Sequence, residues 1–546
     1  MTLPWLRWPA AFVLLAGAMQ GASLDARVET LFRPGQAAQA ALSPDGRHLA
    51  YTSPTRRGLS IVVVAVEPPG PRRTFPADPN READFAAGQA PVGLRFLRWA
   101  TPGRLVFAPE ARVLPLPAVA GPDGRLRPNP DGPRIVAPIL AADADGQRRG
   151  ILVDAKQFMT TSAEAKSLAD LLRTPQELTA TSTEPVHWRM PHLDVLGFLP
   201  GQRDQLVVGT HGGFGAPGRH LVDVQTGEVR GYGGDDTAPP GERAIYDWNR
   251  LKVVGERTGS GTAPIRWRDD ELTFVQRELE RKFPRRTVEL LDWSETRHRV
   301  LVRVTGGNDP GRVFVWQRPE DLVVEVLRVA PWLTPARLHE TRPLAWTAPG
   351  GLRSEGFVTW PRSARAPSLP LLLRWEDAPG AGGLPGFDAE AQVFADLGFV
   401  VLRLGRGSAE VAALAGSDIR RLVASVTGPD PARTVDARRV VAWGRGEGAV
   451  HALQAARRAP GEFRAVVVVE PRGAWLDGAG GPPPPLLLLA SGSPAVRAPA
   501  GWTVERDELP AGFAADDPAS RATVYRRIET FLAQHVPAVP AEEAAR

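Results

Sequence analysis

Cysteine is absent from the sequence, and long apolar runs are missing everywhere after its first residues. Without cysteine the chain can form no disulfide, thiolate metal site or cysteine nucleophile. Arginine or aspartate interrupts each later hydrophobic stretch before it reaches the ~18 residues of a membrane span, so we expect no span in the mature chain. Lysine is scarce too, and occurs only at Lys156, Lys166, Lys252 and Lys282.

Charge of one sign does not accumulate along the chain. The formal net charge is +5 over 546 residues, and the arginines are dispersed instead of forming runs. We therefore expect no nucleic-acid partner. No cofactor or metal is expected either, because the adjacent carboxylates Asp235 and Asp236 lie in a glycine-rich turn without suitably spaced partners.

The N-terminal end carries an apolar stretch of its own. Arg7 precedes a run rich in alanine, leucine and valine over residues 9–19, and small residues follow between positions 16 and 22. The run is shorter than the ~20 residues of a spanning helix, and the small residues suit a signal peptidase. Residues 1–22 are predicted to be a signal peptide, so the protein is expected in the periplasm or outside the cell. An uncleaved membrane anchor is the alternative.

Short apolar strands separated by turn residues fill the first two thirds of the chain. Between two such strands, Pro44, Asp45 and Gly46 form a turn in which proline presets φ and glycine accepts a left-handed conformation. The pattern recurs at 96–107, 195–209 and 288–316. We predict an all-β domain over residues 24–337, most simply a β-propeller of four-stranded blades, with a pair of sandwiches as the alternative. Val113–Pro138 is predicted to be a surface loop, and the helix-like segment 163–172 an insertion.

Strands and helices alternate in the last third. Predicted strands cover 371–375, 399–404, 439–443, 465–470 and 485–489, and predicted helices cover 388–397, 418–426, 449–459 and 520–535. Strands that are apolar throughout indicate a mostly parallel sheet with helices on both faces. We therefore predict a multidomain protein whose residues 338–546 form a doubly wound α/β domain.

Specific motifs in this part resemble a known family. The segments Phe387–Gln392, Leu397–Leu402 and Arg406–Ser408, followed by Val435–Gly444, are similar to the prolyl oligopeptidase, dipeptidyl aminopeptidase and acylaminoacyl peptidase family. The turn after Leu42 resembles the first propeller blade of these enzymes. The resemblance implies an α/β-hydrolase domain with a serine-peptidase site, to which the propeller restricts access.

The catalytic positions implied by this resemblance are degenerate. The Gly-x-Ser-x-Gly turn reads Gly444-Arg445-Gly446-Glu447-Gly448, so Gly446 occupies the nucleophile position. The histidine position holds Ala511, and the acid position, near Ser493, lies in a stretch without a carboxylate. The loop that supplies oxyanion donors reads Glu376-Asp377-Ala378-Pro379, whose two carboxylates would oppose an oxyanion.

These losses predict a catalytically inactive pseudo-peptidase that acts as a binding or scaffolding module, with a peptide or protein ligand in the inter-domain cavity. An active peptidase or esterase with relocated residues is the alternative, with Glu447 as nucleophile and His451 as base; an exposed turn residue and a helix-surface histidine are the simpler interpretation. A third possibility is a propeller receptor whose hydrolase part is only a support. His535, Ser408 and Ser417 are interpreted as helix-end or capping residues.

Overall fold

The computed structural model describes residues 23–55, 58–66, 70–77, 93–109, 112–114, 119–120, 126–127, 134–136, 138–153, 155–158, 192–199, 201–211, 218–233, 244–257, 265–347, 351, 353–362, 367–375, 386–405, 411–413, 416–426, 433–472, 483–491, 501–510, 513 and 517–536. The predicted signal peptide and the helix-like segment 163–172 lie outside these residues. The described chain begins with helix α1 (Leu24–Phe32), whose first turn is capped by Ser23.

Antiparallel sheets follow α1, each built from neighbouring segments of the chain. The first contains β1 (Ala40–Leu42), β2 (His48–Thr55), β3 (Gly58–Ala65) and β4 (Arg73–Pro76). The second contains β5 (Leu94–Thr101), β6 (Arg104–Pro109) and two strands that come later in the chain. Between them the chain forms four short strands, β7 (Arg112–Leu114), β8 (Val119–Ala120), β9 (Leu126–Arg127) and β10 (Arg134–Val136). The two later strands of the second sheet are β11 (Ile139–Asp143) and β12 (Gly150–Val153). Strands β7 and β10 form one small sheet, and β8 and β9 form another. The prediction that Val113–Pro138 is only a surface loop is therefore wrong.

Three further sheets complete this part of the chain. The third contains β13 (His192–Leu199), β14 (Gln202–His211), β15 (Gly218–Asp223) and β16 (Val229–Gly231). The fourth contains β17 (Ala244–Asp247), β18 (Lys252–Arg257) and β19 (Ile265–Trp267), followed by helix α2 (Asp270–Lys282). The fifth contains β20 (Thr287–Trp293), β21 (Arg299–Gly306), β22 (Asp309–Gln317) and β23 (Leu322–Arg328). Single 3₁₀ turns lie at Ala155–Phe158, Pro335–Arg337 and Pro460–Glu462.

The five sheets pack side by side as the blades of a β-propeller. Alternate side chains of a strand point to opposite faces of its sheet, so in β2 Leu49 packs with residues of the fifth blade while Ala50 packs with residues of the second. Shared apolar clusters likewise join the second blade to the third and the fourth to the fifth. The propeller prediction is confirmed, and the alternative of two sandwiches is wrong.

No strand is shared between the first and fifth blades within the described residues. Side-chain and backbone hydrogen bonds near the ends of the innermost strands instead join each blade to the next, and we call this set the polar belt. Its contacts are Trp99 Nε1 to Ala41 O (3.1 Å), Arg203 Nε to Ala100 O (2.9 Å), Arg203 Nη1 to Trp248 O (2.5 Å), Asn249 Nδ2 to Trp293 O (2.7 Å) and Leu42 N to Asp292 Oδ2 (2.9 Å). The polar belt therefore passes through all five blades.

The last third of the chain forms one eight-stranded sheet. Its strands are β24 (Glu340–Thr347), β25 (Arg353–Trp360), β26 (Ser368–Trp375), β27 (Val400–Leu404), β28 (Thr434–Arg445), β29 (Ala465–Val469), β30 (Leu486–Ala490) and β31 (Val504–Glu508). The order across the sheet is β24-β25-β27-β26-β28-β29-β30-β31. Strand β25 pairs antiparallel with both neighbours, and all later pairs are parallel.

Helices cover both faces of this sheet. They are α3 (Ala389–Asp396), α4 (Gly416–Ser425), α5 (Glu447–Arg458) and α6 (Pro518–His535). Residues of α4 and α5 share one apolar cluster with the sheet, and residues of α1, α3 and α6 share the other. The strands and helices predicted for the last third of the chain are all present, whereas α1, α2, β24, β25 and β31 were not predicted.

Helix α1 packs on this C-terminal sheet, although the propeller strands follow it directly in sequence. Arg27 binds both carboxylate oxygens of Asp396 in α3, with a shortest contact of 2.6 Å. The Phe32 ring stacks on Tyr525 of α6 at a centroid distance of 5.6 Å. The first and last described helices are therefore neighbours.

Candidate functional site

The turn between β28 and α5 has the backbone geometry of a nucleophile elbow. Gly446 alone separates the strand from the helix, and its angles are φ 57° and ψ −119°. A positive φ of this size strains an L-residue and is free of cost for glycine. The Gly446 N–H donates to Val469 O at 3.0 Å, and Gly446 O accepts from Arg472 N at 2.9 Å, so the turn is fixed against the end of β29.

The flanking glycines permit the close approach of strand and helix. A Cβ atom on Gly444 would lie 2.2 Å from the carbonyl oxygen of Gly448, which no side chain can tolerate. Gly448 is itself buried in the first turn of α5. The sharp strand–turn–helix geometry is thus retained, while the position that would bear a nucleophile has no side chain.

Glu470 lies at the same edge of the sheet as Gly446. The sequence predicts it as the last residue of the strand 465–470. Strand β29 ends at Val469, and Glu470 adopts a left-handed φ of 46° directly after it. Its Oε1 accepts a hydrogen bond from Ser491 N at 2.8 Å, just beyond β30. A strained non-glycine residue often marks a functional position, but a sequence carries no signal for it.

Phe513 lies between two guanidinium groups. The Arg445 Cζ is 5.1 Å from the centre of the phenyl ring, and the Arg521 Cζ is 5.5 Å from it. These are cation–π distances. They hold Phe513 against the end of β28, next to Gly446.

Three of the predicted site positions lie outside the described residues. These are Ala511, Ser493 and the segment Glu376–Pro379. Their assignment to the histidine, acid and oxyanion-loop positions stays a prediction.

A buried charge cluster holds the two ends of the segment that contains Glu376–Pro379. Arg374, at the end of β26, contacts Asp388 at 2.7 Å, and Arg403 of β27 contacts the same carboxylate at 3.0 Å. Burial alone would raise the pKa of Asp388, but the two guanidinium groups hold it well below its usual range. Tyr525 donates to Glu390 Oε1 at 2.5 Å, and its pKa is raised by burial and by that carboxylate.

The remaining candidates that the structure describes lie on helices. Glu447 is exposed in the first turn of α5, where a carboxylate suits the helix dipole, and His451 is half-buried one turn later. Ser417 is in the first turn of α4. His535 ends α6, with Nε2 3.3 Å from Glu505 Oε1. Ser408 and the pair Asp235 and Asp236 lie outside the described residues.

Membrane and metal features were also sought in the described part of the chain. None of the helices described there is both long and apolar enough to cross a bilayer. Nor do the described residues bring together three or more histidine or carboxylate side chains that could hold a metal ion.

Comparison with known proteins gives structural matches only. No family model and no curated protein matches the chain. Its structure is similar to acylaminoacyl peptidase of Pyrococcus horikoshii, with 11% identity, a TM-score of 0.43 and coverage of 93% of this chain and 91% of that one. It is similar to a prolyl endopeptidase, with 12% identity, a TM-score of 0.48 and coverage of 94% and 91%. Dipeptidyl peptidase 4 of Porphyromonas gingivalis matches with 12% identity, a TM-score of 0.39 and coverage of 91% and 82%.

These structures come from the same class of peptidases that the sequence motifs resemble.

Proposed function

We propose that this chain is an exported, catalytically inactive prolyl oligopeptidase-like protein that binds a peptide or protein between its two domains. Residues 1–22 would be a signal peptide, 24–337 the propeller domain and 338–546 an α/β-hydrolase domain, with α1 docked on the latter. The strand order of the C-terminal sheet and the elbow at Gly446 support the hydrolase assignment.

The observation that carries the proposal is the elbow without a hydroxyl. Acyl transfer by this class of site needs a nucleophile on the turn, a base within hydrogen-bonding reach, an acid that orients the base, and donors for the oxyanion. Gly446 supplies no nucleophile, Ala511 no base and the stretch near Ser493 no acid. Because these positions are separate in sequence, the losses are independent of one another.

The proposed ligand class follows from what the fold keeps. A propeller beside a hydrolase sheet can enclose a chain segment, and loss of catalysis leaves such a cavity usable for binding. Fold alone does not identify a ligand. The ligand assignment therefore depends on the chemistry of the side chains around the elbow.

The test of inactivity is covalent labelling of the purified full chain with a fluorophosphonate probe, together with hydrolysis of acyl-peptide substrates. We expect neither labelling nor turnover above the rate of buffer. The acylaminoacyl peptidase of Pyrococcus horikoshii, treated in parallel, shows that probe and substrates are competent. Labelling of any serine in this chain would favour the active peptidase or esterase alternative and overturn the proposal.

A further inference from the structure

A half-buried guanidinium without an ionic partner lies next to the elbow. Arg445 is the last residue of β28 and directly precedes Gly446. Its side chain packs over Phe513 and makes no hydrogen bond or ion pair with the part of the chain that is described. A charge that is partly removed from water is costly unless a counter-charge compensates it.

A second arginine lies beside the same turn. The backbone N–H of Arg472 donates to Gly446 O at 2.9 Å, which fixes this residue beside the elbow. Its side chain is exposed and, among the described residues, is not paired with a carboxylate. Two arginines that are not paired with a carboxylate among the described residues are therefore anchored by their backbone at the elbow, where Gly446 offers no side chain.

The described carboxylates next to the elbow in sequence form no ion pair with these arginines. Glu470 directs Oε1 to Ser491 N at 2.8 Å and forms no ion pair with either arginine. Glu447 has an interaction of its own. The contrast is with Arg374 and Arg403, which lie at the same edge of the sheet and share Asp388. Arg374 and Arg403 thus have a carboxylate partner, whereas neither arginine at the elbow has one in the part of the chain that is described.

We infer that Arg445 and Arg472 bind the free C-terminal carboxylate of a peptide, an inference that rests on the proposed binding function. A guanidinium matches the geometry of a carboxylate and can bind both of its oxygens. The C-terminal carboxylate is the last group of a peptide, so it can enter a half-buried site without the rest of the main chain. An internal glutamate needs room for the main chain to continue on both sides of it.

The experiment measures binding of three short peptides to the full chain by calorimetry at neutral pH. They are acetyl-Ala-Ala-Ala with a free C-terminus, its C-terminal amide, and acetyl-Ala-Glu-Ala-amide. The free acid should bind about tenfold more tightly than either amide, since that is the weight of one charge-assisted contact. Equal binding of acid and amide overturns the inference, and so does the absence of any binding. Equal binding of the glutamate peptide overturns the assignment to a chain end.

Variants connect the preference to the two arginines. Arg445→Gln and Arg472→Gln should each remove most of the tenfold preference, and Arg445→Lys should restore only part of it because an ammonium cannot form the paired contact. Arg458→Gln, at the far end of α5, is the matched control and should bind like the parent chain. Because Arg472 is exposed, its replacement leaves folding intact even if Arg445→Gln disturbs the packing of Phe513.

The two failures are distinguishable. If acid and amide bind equally and Arg445→Gln has no effect, the protein is still a binding module but the carboxylate inference is wrong. If the fluorophosphonate probe labels a serine, the proposed function itself is wrong, whatever the peptides do.

Discussion

Gly446 has the backbone conformation of a nucleophile elbow but no side chain that could act as a nucleophile. In a Gly-x-Ser-x-Gly nucleophile elbow the central residue bears both a strained backbone and the nucleophile, so it combines strain with function. Glycine adopts φ 57° without strain. The elbow can therefore persist without selection for catalysis.

Restoring serine at this position should not restore hydrolysis. Gly446→Ser supplies a hydroxyl, but the positions that the family resemblance assigns to the base and the acid, Ala511 and the stretch near Ser493, offer neither group in the sequence. We expect turnover of acyl-peptide substrates to stay at the buffer rate, with a stability loss of about 1 kcal/mol from the left-handed backbone. Measurable turnover by Gly446→Ser would show that the remaining groups have been assigned wrongly.

Gly444 is constrained by space instead of by backbone angle. Gly444→Ala places a methyl group 2.2 Å from Gly448 O, so strand and helix must separate. We expect a loss of more than about 3 kcal/mol in the free energy of unfolding, measured in urea. Gly103→Ala is the matched control, because nothing lies within 4 Å of its added methyl group. A similar cost for both variants would contradict the close-packed elbow.

The fourth blade, which has three strands among the described residues, is connected to neighbouring elements by charged side chains. Helix α2 follows its third strand, and Asp269 caps the helix while binding Arg297 at 2.7 Å. Arg297 is fully buried and also binds the buried Asp247 at 2.7 Å. The fourth blade is therefore joined to the turn between β20 and β21 of the fifth blade by a buried ionic contact as well as by apolar packing.

Acid should weaken this junction. The hydrogen bond from Arg297 lowers the pKa of Asp269 from 3.8 to about 2. A folded-state pKa below the unfolded value means that the stabilisation is present above about pH 4 and is lost as the pH falls towards 2. The urea midpoint should fall over that range, and Asp269→Asn should make it flatter. An unchanged pH profile in Asp269→Asn would show that other carboxylates dominate.

The first and fifth blades of the propeller are joined by hydrogen bonds to Asp292. Asp292 accepts from both Leu42 N and Trp293 N at 2.9 Å, so it connects the fifth blade to the first. Asp292→Ala leaves these N–H groups without their acceptor in a buried site and should cost about 3 kcal/mol. Hydrogen exchange at the Leu42 amide should accelerate. The exposed Asp204, changed to alanine, should alter neither measurement.

At the scale of the whole molecule, α1 belongs to the C-terminal core although its sequence neighbours belong to the propeller. Arg27→Gln removes the paired contact to Asp396 and should lower the free energy of unfolding by about 2 kcal/mol. The effect should appear in hydrogen exchange of α3 and α6 and not in the blades. Arg47→Gln, on an exposed turn of the first blade, is the control. Faster exchange throughout the propeller would contradict the docking of α1.

Much of the fold follows from local patterns. The alternation of strands and turns predicts the propeller, and the apolar strands separated by helices predict the parallel sheet, because hydrophobic periodicity is a property of neighbouring residues. Strands β24, β25 and β31 were missed because exposed polar residues interrupt their pattern. Strands β24 and β31 are the two edge strands of the sheet and are only partly buried, so their sequences carry a weaker signal, whereas β25 is an inner strand that begins with exposed polar residues.

The sequence by itself determined most of the strands and helices, the order of the all-β and α/β parts along the chain, and the absence of a hydroxyl on the Gly444–Gly448 turn, since each depends on residues close together in the chain. Only the tertiary structure decided the number of blades, the polar belt, the docking of α1, the left-handed conformation of Glu470 and the packing of Arg445 on Phe513. All of these depend on contacts between residues far apart in sequence, and such contacts are set by how complete elements pack.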